Sequence, residues 1–163
     1  METDCTPARL KDVQKKVTLS KYKKIAVVRN PWARMVSMYC FLAQFKRMYE
    51  TRDGVNRKGI GELELLGFSE WLLKYGKTSH GLATSDIAQC NWLTIDGKFA
   101  ADRIIRYEHL VKDFEKHTGI SKIHLPITHH TAHRDYHEYY TGDARDFIYE
   151  HFKKDIKRFK YEY

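Results

Sequence analysis

The chain has 163 residues, enough for one domain with a sizeable core, and its 42% hydrophobic and 13% aromatic content supports a folded globule. Twenty-nine Lys and Arg against 21 Asp and Glu give a formal net charge of +8, which implies an acidic partner such as a nucleotide, an anionic glycan, a nucleic acid or a membrane surface. The basic residues are dispersed and match no nucleic-acid motif, and Cys5, Cys40 and Cys90 are too widely spaced for a metal site or a disulfide framework.

The N-terminus is polar and charged, and no apolar run approaches membrane-spanning length, so the sequence reads as a soluble, cytoplasmic protein. Leu10, Val13 and Val17 at helical spacing predict a short amphipathic helix from about Pro7 to Val17, with Thr6 as its cap.

The organising stretch follows, KIAVVRNPWARMVSMYCFLA from Lys24 to Ala43. Ile25 to Val28 form an unbroken apolar run, which predicts a strand covered on both faces, as in a parallel sheet. Asn30 is placed to cap a helix whose first residue is Pro31. Trp32, Val36, Tyr39 and Ala43 then share one inward face, with Arg34 and Ser37 on the other side and Cys40 as a small buried residue. Arg29 closes the strand beside the helix start, where free amides and the positive end of the dipole favour an anion. Its guanidinium can grip a phosphate through two hydrogen bonds, and the Ser37 hydroxyl can add a third. The same residues also fit a plainer reading in which Arg29 pairs with a carboxylate and Ser37 is solvated.

VVRNPWARMVSMY resembles the 3′-phosphate-binding motif of sulfotransferases that use 3′-phosphoadenosine 5′-phosphosulfate (PAPS), most closely the carbohydrate, Golgi-type branch. The resemblance implies that Arg29 and Ser37 hold the 3′-phosphate of the nucleotide, with Asn30 and Arg34 at the turn and Arg34 bracing it. It implies an α/β fold of the P-loop-NTPase-like sulfotransferase type, with a small parallel sheet flanked by helices. In relatives a strand and a Gly-rich loop that wraps the 5′-phosphosulfate come before this motif. No such loop precedes Lys24, so the sequence predicts a truncated single domain that keeps the 3′-phosphate half of the site. A sheet of two or three strands, or a homodimer covering the exposed face, is the expected consequence.

Further along, Arg52 to Gly67 reads as an exposed loop suited to acceptor contacts, and Phe68 to Tyr75 as a helix capped by Ser69, with Trp71, Leu72 and Tyr75 inward. Gly76 stops that helix, and Lys77-Thr78-Ser79 after it is read as an ordinary loop. Gln89, Trp92 and Leu93 match a family pattern of Gln ahead of an aromatic-Leu pair, with Trp92 as packing. Asp102 to Tyr107 is the second strand, followed by a helix from Glu108 to Thr118 with Leu110, Val111 and Phe114 inward and Gly119 as its stop. DRIIRYEHLVKDF resembles the second diagnostic stretch of the same family.

His129, His133 and His137 are four apart and would share a helical face, a spacing that raises a zinc reading, but no second shell accompanies them and no metal is expected. The family resemblance instead implies a loop here that closes over the nucleotide, which makes Thr131, His133 and Arg134 candidates for contacts to the 3′-phosphate or adenine. Asp143 to Phe159 predicts one long helix with Phe147, Ile148, Phe152, Ile156 and Phe159 as its apolar stripe. The closing segment resembles the family's C-terminal signature, with Lys160 where relatives carry Gly.

Three functions fit this reading. The first is transfer of a sulfuryl group from PAPS to a hydroxyl of a carbohydrate or similar acceptor. The second is an inactive module that binds a nucleotide or glycan, and the third a basic nucleic-acid-binding protein.

Overall fold

The computed structural model describes residues 18–44, 61–63, 65–76, 88–121 and 131–163. The helix expected from Pro7, most of the Arg52 to Gly67 loop, Lys77 to Ser79 and His129 lie outside them. In chain order the described elements are β1 (Ile25–Val28), α1 (Pro31–Gln44), α2 (Phe68–Tyr75), the single turn α3 (Gln89–Trp92), β2 (Thr94–Ile95), β3 (Lys98–Phe99), β4 (Arg103–Arg106), α4 (Leu110–Thr118), α5 (Gly142–His151) and α6 (Lys153–Phe159). Tight 3-10 turns occur at Leu19–Lys21, Tyr107–His109 and Tyr136–Tyr139. The mixture is α/β, and the chain divides into two compact units, one built on β1 and α3 to α4, the other on α1, α2, α5 and α6.

In the first unit β1 and β4 pair in parallel, with Ile25 opposite Arg103 and Val28 opposite Arg106. Asp102 ties the start of the pair: its carboxylate accepts the Lys24 N–H at 2.7 Å and the Lys24 ammonium at 2.8 Å. The expected burial on both faces of β1 is corrected, because Val28 is buried while Val27 is 54% exposed. Among the described residues β1 pairs with β4 alone, and such a pair cannot enclose a strand as the middle of a wide sheet does. Asp96 and Gly97 join β2 to β3 with positive φ at both positions (48° and 76°), the geometry of a type I′ hairpin turn. Helix α4 begins after the 3-10 turn, later than expected, and ends at Gly119 in the left-handed region (φ 74°). Val111 is exposed instead of inward, while Leu110 and Phe114 are half-buried.

In the second unit α1 runs as expected from Pro31, but its buried stripe is Trp32, Met35, Val36 and Leu42. Leu42 replaces the exposed Ala43, so the face continues with the larger side chain, which removes more apolar area from water. Cys40 is half-buried. Trp71, Leu72 and Tyr75 of α2 are buried as expected. Ser69 is not the cap, which falls at Gly67; its hydroxyl instead donates to the Tyr139 carbonyl at 2.8 Å and accepts the Thr141 N–H at 3.0 Å. The side chains of Tyr39, Phe68 and Tyr140 meet edge to face at 5.4 and 4.8 Å, the favoured geometry for aromatic pairs. The single C-terminal helix is corrected to two, α5 and α6, because Phe152 leaves helical geometry (φ −106°, ψ 22°) while its ring stays buried. Ala144, Ile148, Phe152, Ile156 and Phe159 still form one stripe, whereas the predicted Phe147 is only half-buried.

Candidate functional site

Strand register places Arg29. Val28 lies opposite Arg106, so Arg29 and Tyr107 leave the carboxyl ends of neighbouring parallel strands side by side. Those ends are where open α/β sheets bind their ligands. The Arg29 guanidinium stands over the Tyr107 ring, with Cζ 4.6 Å from the centroid. Such a cation–π contact holds the group in place without using any of its five N–H donors. The backbone of Arg29 is fixed as well. Its N–H donates to Gln89 Oε1 at 2.9 Å and its carbonyl accepts from Gln89 Nε2 at 2.8 Å, so one carboxamide closes on both polar groups of a single residue. At the end of β4, the Arg106 N–H donates to Asp113 of α4 at 2.9 Å.

The other candidates belong to the second unit. Asn30 caps α1: its Oδ1 accepts the N–H of Trp32 at 2.9 Å and, at a longer 3.4 Å, that of Ala33. Pro31 has no N–H, and the Arg34 N–H bonds to the Asn30 carbonyl at 2.8 Å. The expectation of free amides at this helix start is therefore corrected. The first-turn donors already have protein partners, and what the helix offers an anion is the positive end of its dipole. Ser37 and Arg34 lie three residues apart on α1 and are both half-buried, and the Arg34 guanidinium sits 5.0 Å from the centroid of the buried Phe152 ring.

Thr131, His133 and Arg134 lie just before the Tyr136–Tyr139 turn. Thr131 is buried. His133 Nδ1 is 2.8 Å from the Arg134 carbonyl, which can only accept, so Nδ1 is the donor of that bond. Arg134 is exposed and pairs with Glu138 at 3.1 Å, a solvent-screened contact that an incoming anion can replace at little cost. His137 bonds through Nδ1 to Asp135, whose carboxyl is held below the usual range by the His137 N–H and ring. Among the described residues no group of His, Cys, Asp or Glu is arranged to hold a metal ion.

This unit also carries a cleft of about 310 Å³ lined by Trp32, Arg145, Asp146, Tyr149, Ile156, Tyr161, Glu162 and Tyr163. One guanidinium against two carboxylates makes it a poor seat for a phosphate. Burial pushes the Cys40 thiol up, which keeps it protonated and unreactive near neutrality. Gln89 and Tyr107 are the partners of Arg29 that local patterning missed. The Gln89 position carries a family pattern, and the parallel register of DRIIRY against IAVV was the signal for Tyr107.

The Arg29 guanidinium thus stands at the carboxyl ends of two parallel strands in an α/β chain. A family model described as the Sulfotransferase family matches residues 5–162, nearly the whole sequence, and the chain belongs to that family. Comparisons with curated proteins and with solved structures returned no match. The chemistry of the family is sulfuryl transfer. Among the described residues no helix is long and apolar enough to cross a membrane.

Proposed function

We propose that this chain binds PAPS as the sulfuryl donor and serves transfer to a hydroxyl of a carbohydrate or similar acceptor, within a P-loop-like sulfotransferase architecture. Arg29 and Ser37 hold the 3′-phosphate; Asn30 and Arg34 shape the turn between strand and helix; Thr131, His133 and Arg134 contribute contacts to the phosphate or adenine. The observation that carries this reading is the Arg29 guanidinium fixed over Tyr107 where β1 ends, within a chain of the sulfotransferase family. A guanidinium can grip a phosphate dianion through two parallel hydrogen bonds, a bidentate geometry that strengthens the contact.

The dispersed charge of +8 supports an anionic donor, since a positive surface raises the local concentration of a multiply charged nucleotide. The test is to incubate the protein with PAPS and a panel of neutral and uronate-containing oligosaccharides and to follow adenosine 3′,5′-bisphosphate together with the mass of the glycan. Acceptor-dependent formation of the bisphosphate with a matching sulfated product supports the reading. Tight PAPS binding without turnover on any acceptor would replace it with the inactive binding module.

A further inference from the structure

We infer that Gln89 and Tyr107 are positioning residues for the 3′-phosphate contact of Arg29, and that together they set the preference for a 3′-phosphorylated nucleotide over one lacking that group. This rests on the reading of Arg29 as a phosphate ligand. It adds two residues, 60 and 78 positions further along the chain, whose function is to hold that ligand's backbone and head.

The division of labour follows from the geometry. An arginine at a strand end has a free backbone torsion on one side and four rotatable side-chain bonds on the other, and each must be restrained before its fork points one way. Gln89 restrains the first by bonding the Arg29 N–H and carbonyl at 2.9 and 2.8 Å. The two bonds need one acceptor and one donor on the same side chain, so an acidic side chain, which only accepts when ionised, does not reproduce them. Tyr107 restrains the second through its ring, 4.6 Å beneath Cζ. A ring in that place holds the guanidinium through its face and brings no charge of its own. Parallel pairing of Val28 with Arg106 brings the ring to that place. Pre-ordering both ends removes entropy that binding would otherwise have to remove, so its loss is felt most by the ligand carrying the extra phosphate.

The experiment is calorimetry with two probes, adenosine 3′,5′-bisphosphate and adenosine 5′-monophosphate, on the unaltered chain and on Gln89→Ala, Tyr107→Leu and Tyr107→Phe. The readout is the ratio of the two dissociation constants. Merely structural damage weakens both probes alike and leaves the ratio unchanged, whereas lost positioning compresses it. Tyr107→Leu is expected to compress the ratio about three- to fivefold, the size of an exposed cation–π contact. Gln89→Ala is expected to compress it about tenfold. Tyr107→Phe keeps the ring and so rescues the preference lost in the leucine variant. Should Gln89→Ala fail to fold, the two Tyr107 variants decide the matter alone. An unchanged ratio in Tyr107→Leu, in a chain whose ratio collapses on Arg29→Ala, overturns this inference and leaves the phosphate reading intact. A chain without any preference for the bisphosphate overturns the phosphate reading itself.

Discussion

The side chain of Asn30 donates to the backbone carbonyl of Glu162 at 3.0 Å while its oxygen caps α1. One buried carboxamide thus closes the start of the helix and anchors the C-terminal segment against it. The two contacts are separable by substitution. Asn30→Ser keeps an oxygen for the cap and loses the Glu162 bond, so it is expected to cost about 1 kcal/mol, and Asn30→Ala about 2 kcal/mol because both are lost. Denaturant unfolding of the two variants checks the order. Equal stability of both with the unaltered chain would show that the cap and the anchor contribute nothing.

Gly76 ends α2 in ordinary right-handed geometry, so a left-handed C-cap does not explain the glycine. Space explains it. A Cβ there would lie 2.5 Å from the Leu72 carbonyl oxygen and 2.9 Å from the Phe147 ring. Gly76→Ala is expected to destabilise the fold by about 1–3 kcal/mol, the usual range for overpacking, even though alanine is the better helix former. A rise in melting temperature would contradict this.

Lys160 has φ 55° and ψ 49°, the left-handed conformation that costs a residue with a Cβ about 1–2 kcal/mol. A glycine adopts this conformation without that cost. Lys160→Gly removes the strain but adds freedom to the unfolded chain, so a net gain of about 0.5–1 kcal/mol is expected. The midpoint of urea unfolding measures it, and a loss of stability would refute the account.

The Asp102 carboxyl is held below its ordinary value by its hydrogen bonds from the Lys24 side chain and N–H. A depressed folded pKa means stability that is present above the unfolded pKa, near pH 4, and lost as the pH falls through the lower folded value. In Asp102→Asn this part of the acid-side decline in melting temperature should disappear. Parallel acid profiles for the two proteins would show that the pair is not coupled to folding.

Local chemistry made β1, the start of α1 and the whole of α2 legible, because each is written in contiguous residues: an apolar run, an Asn-Pro start, and a stripe at helical spacing. The Asp96-Gly97 hairpin carried an equally local signal in its turn residues. The break at Phe152 did not, since neither glycine nor proline marks it and the stripe of Ile148, Phe152 and Ile156 reads the same with or without a bend. The place of Arg29 at the strand end was legible, yet its contacts with Gln89 and Tyr107 were not, for they depend on pairings 60 and 78 residues away. The supposed free amides of α1 failed for a related reason. A cap predicted from Asn30 also consumes the donors that a phosphate would otherwise use.

The most direct test is titration of adenosine 3′,5′-bisphosphate into the unaltered chain, Arg29→Ala and Ser37→Ala, with adenosine 5′-monophosphate as reference. The account predicts that the chain prefers the bisphosphate, that Arg29→Ala abolishes the preference through loss of a charge-assisted bidentate contact worth about 2–3 kcal/mol, and that Ser37→Ala reduces it by about 1 kcal/mol. Equal binding of both nucleotides by all three proteins would contradict it.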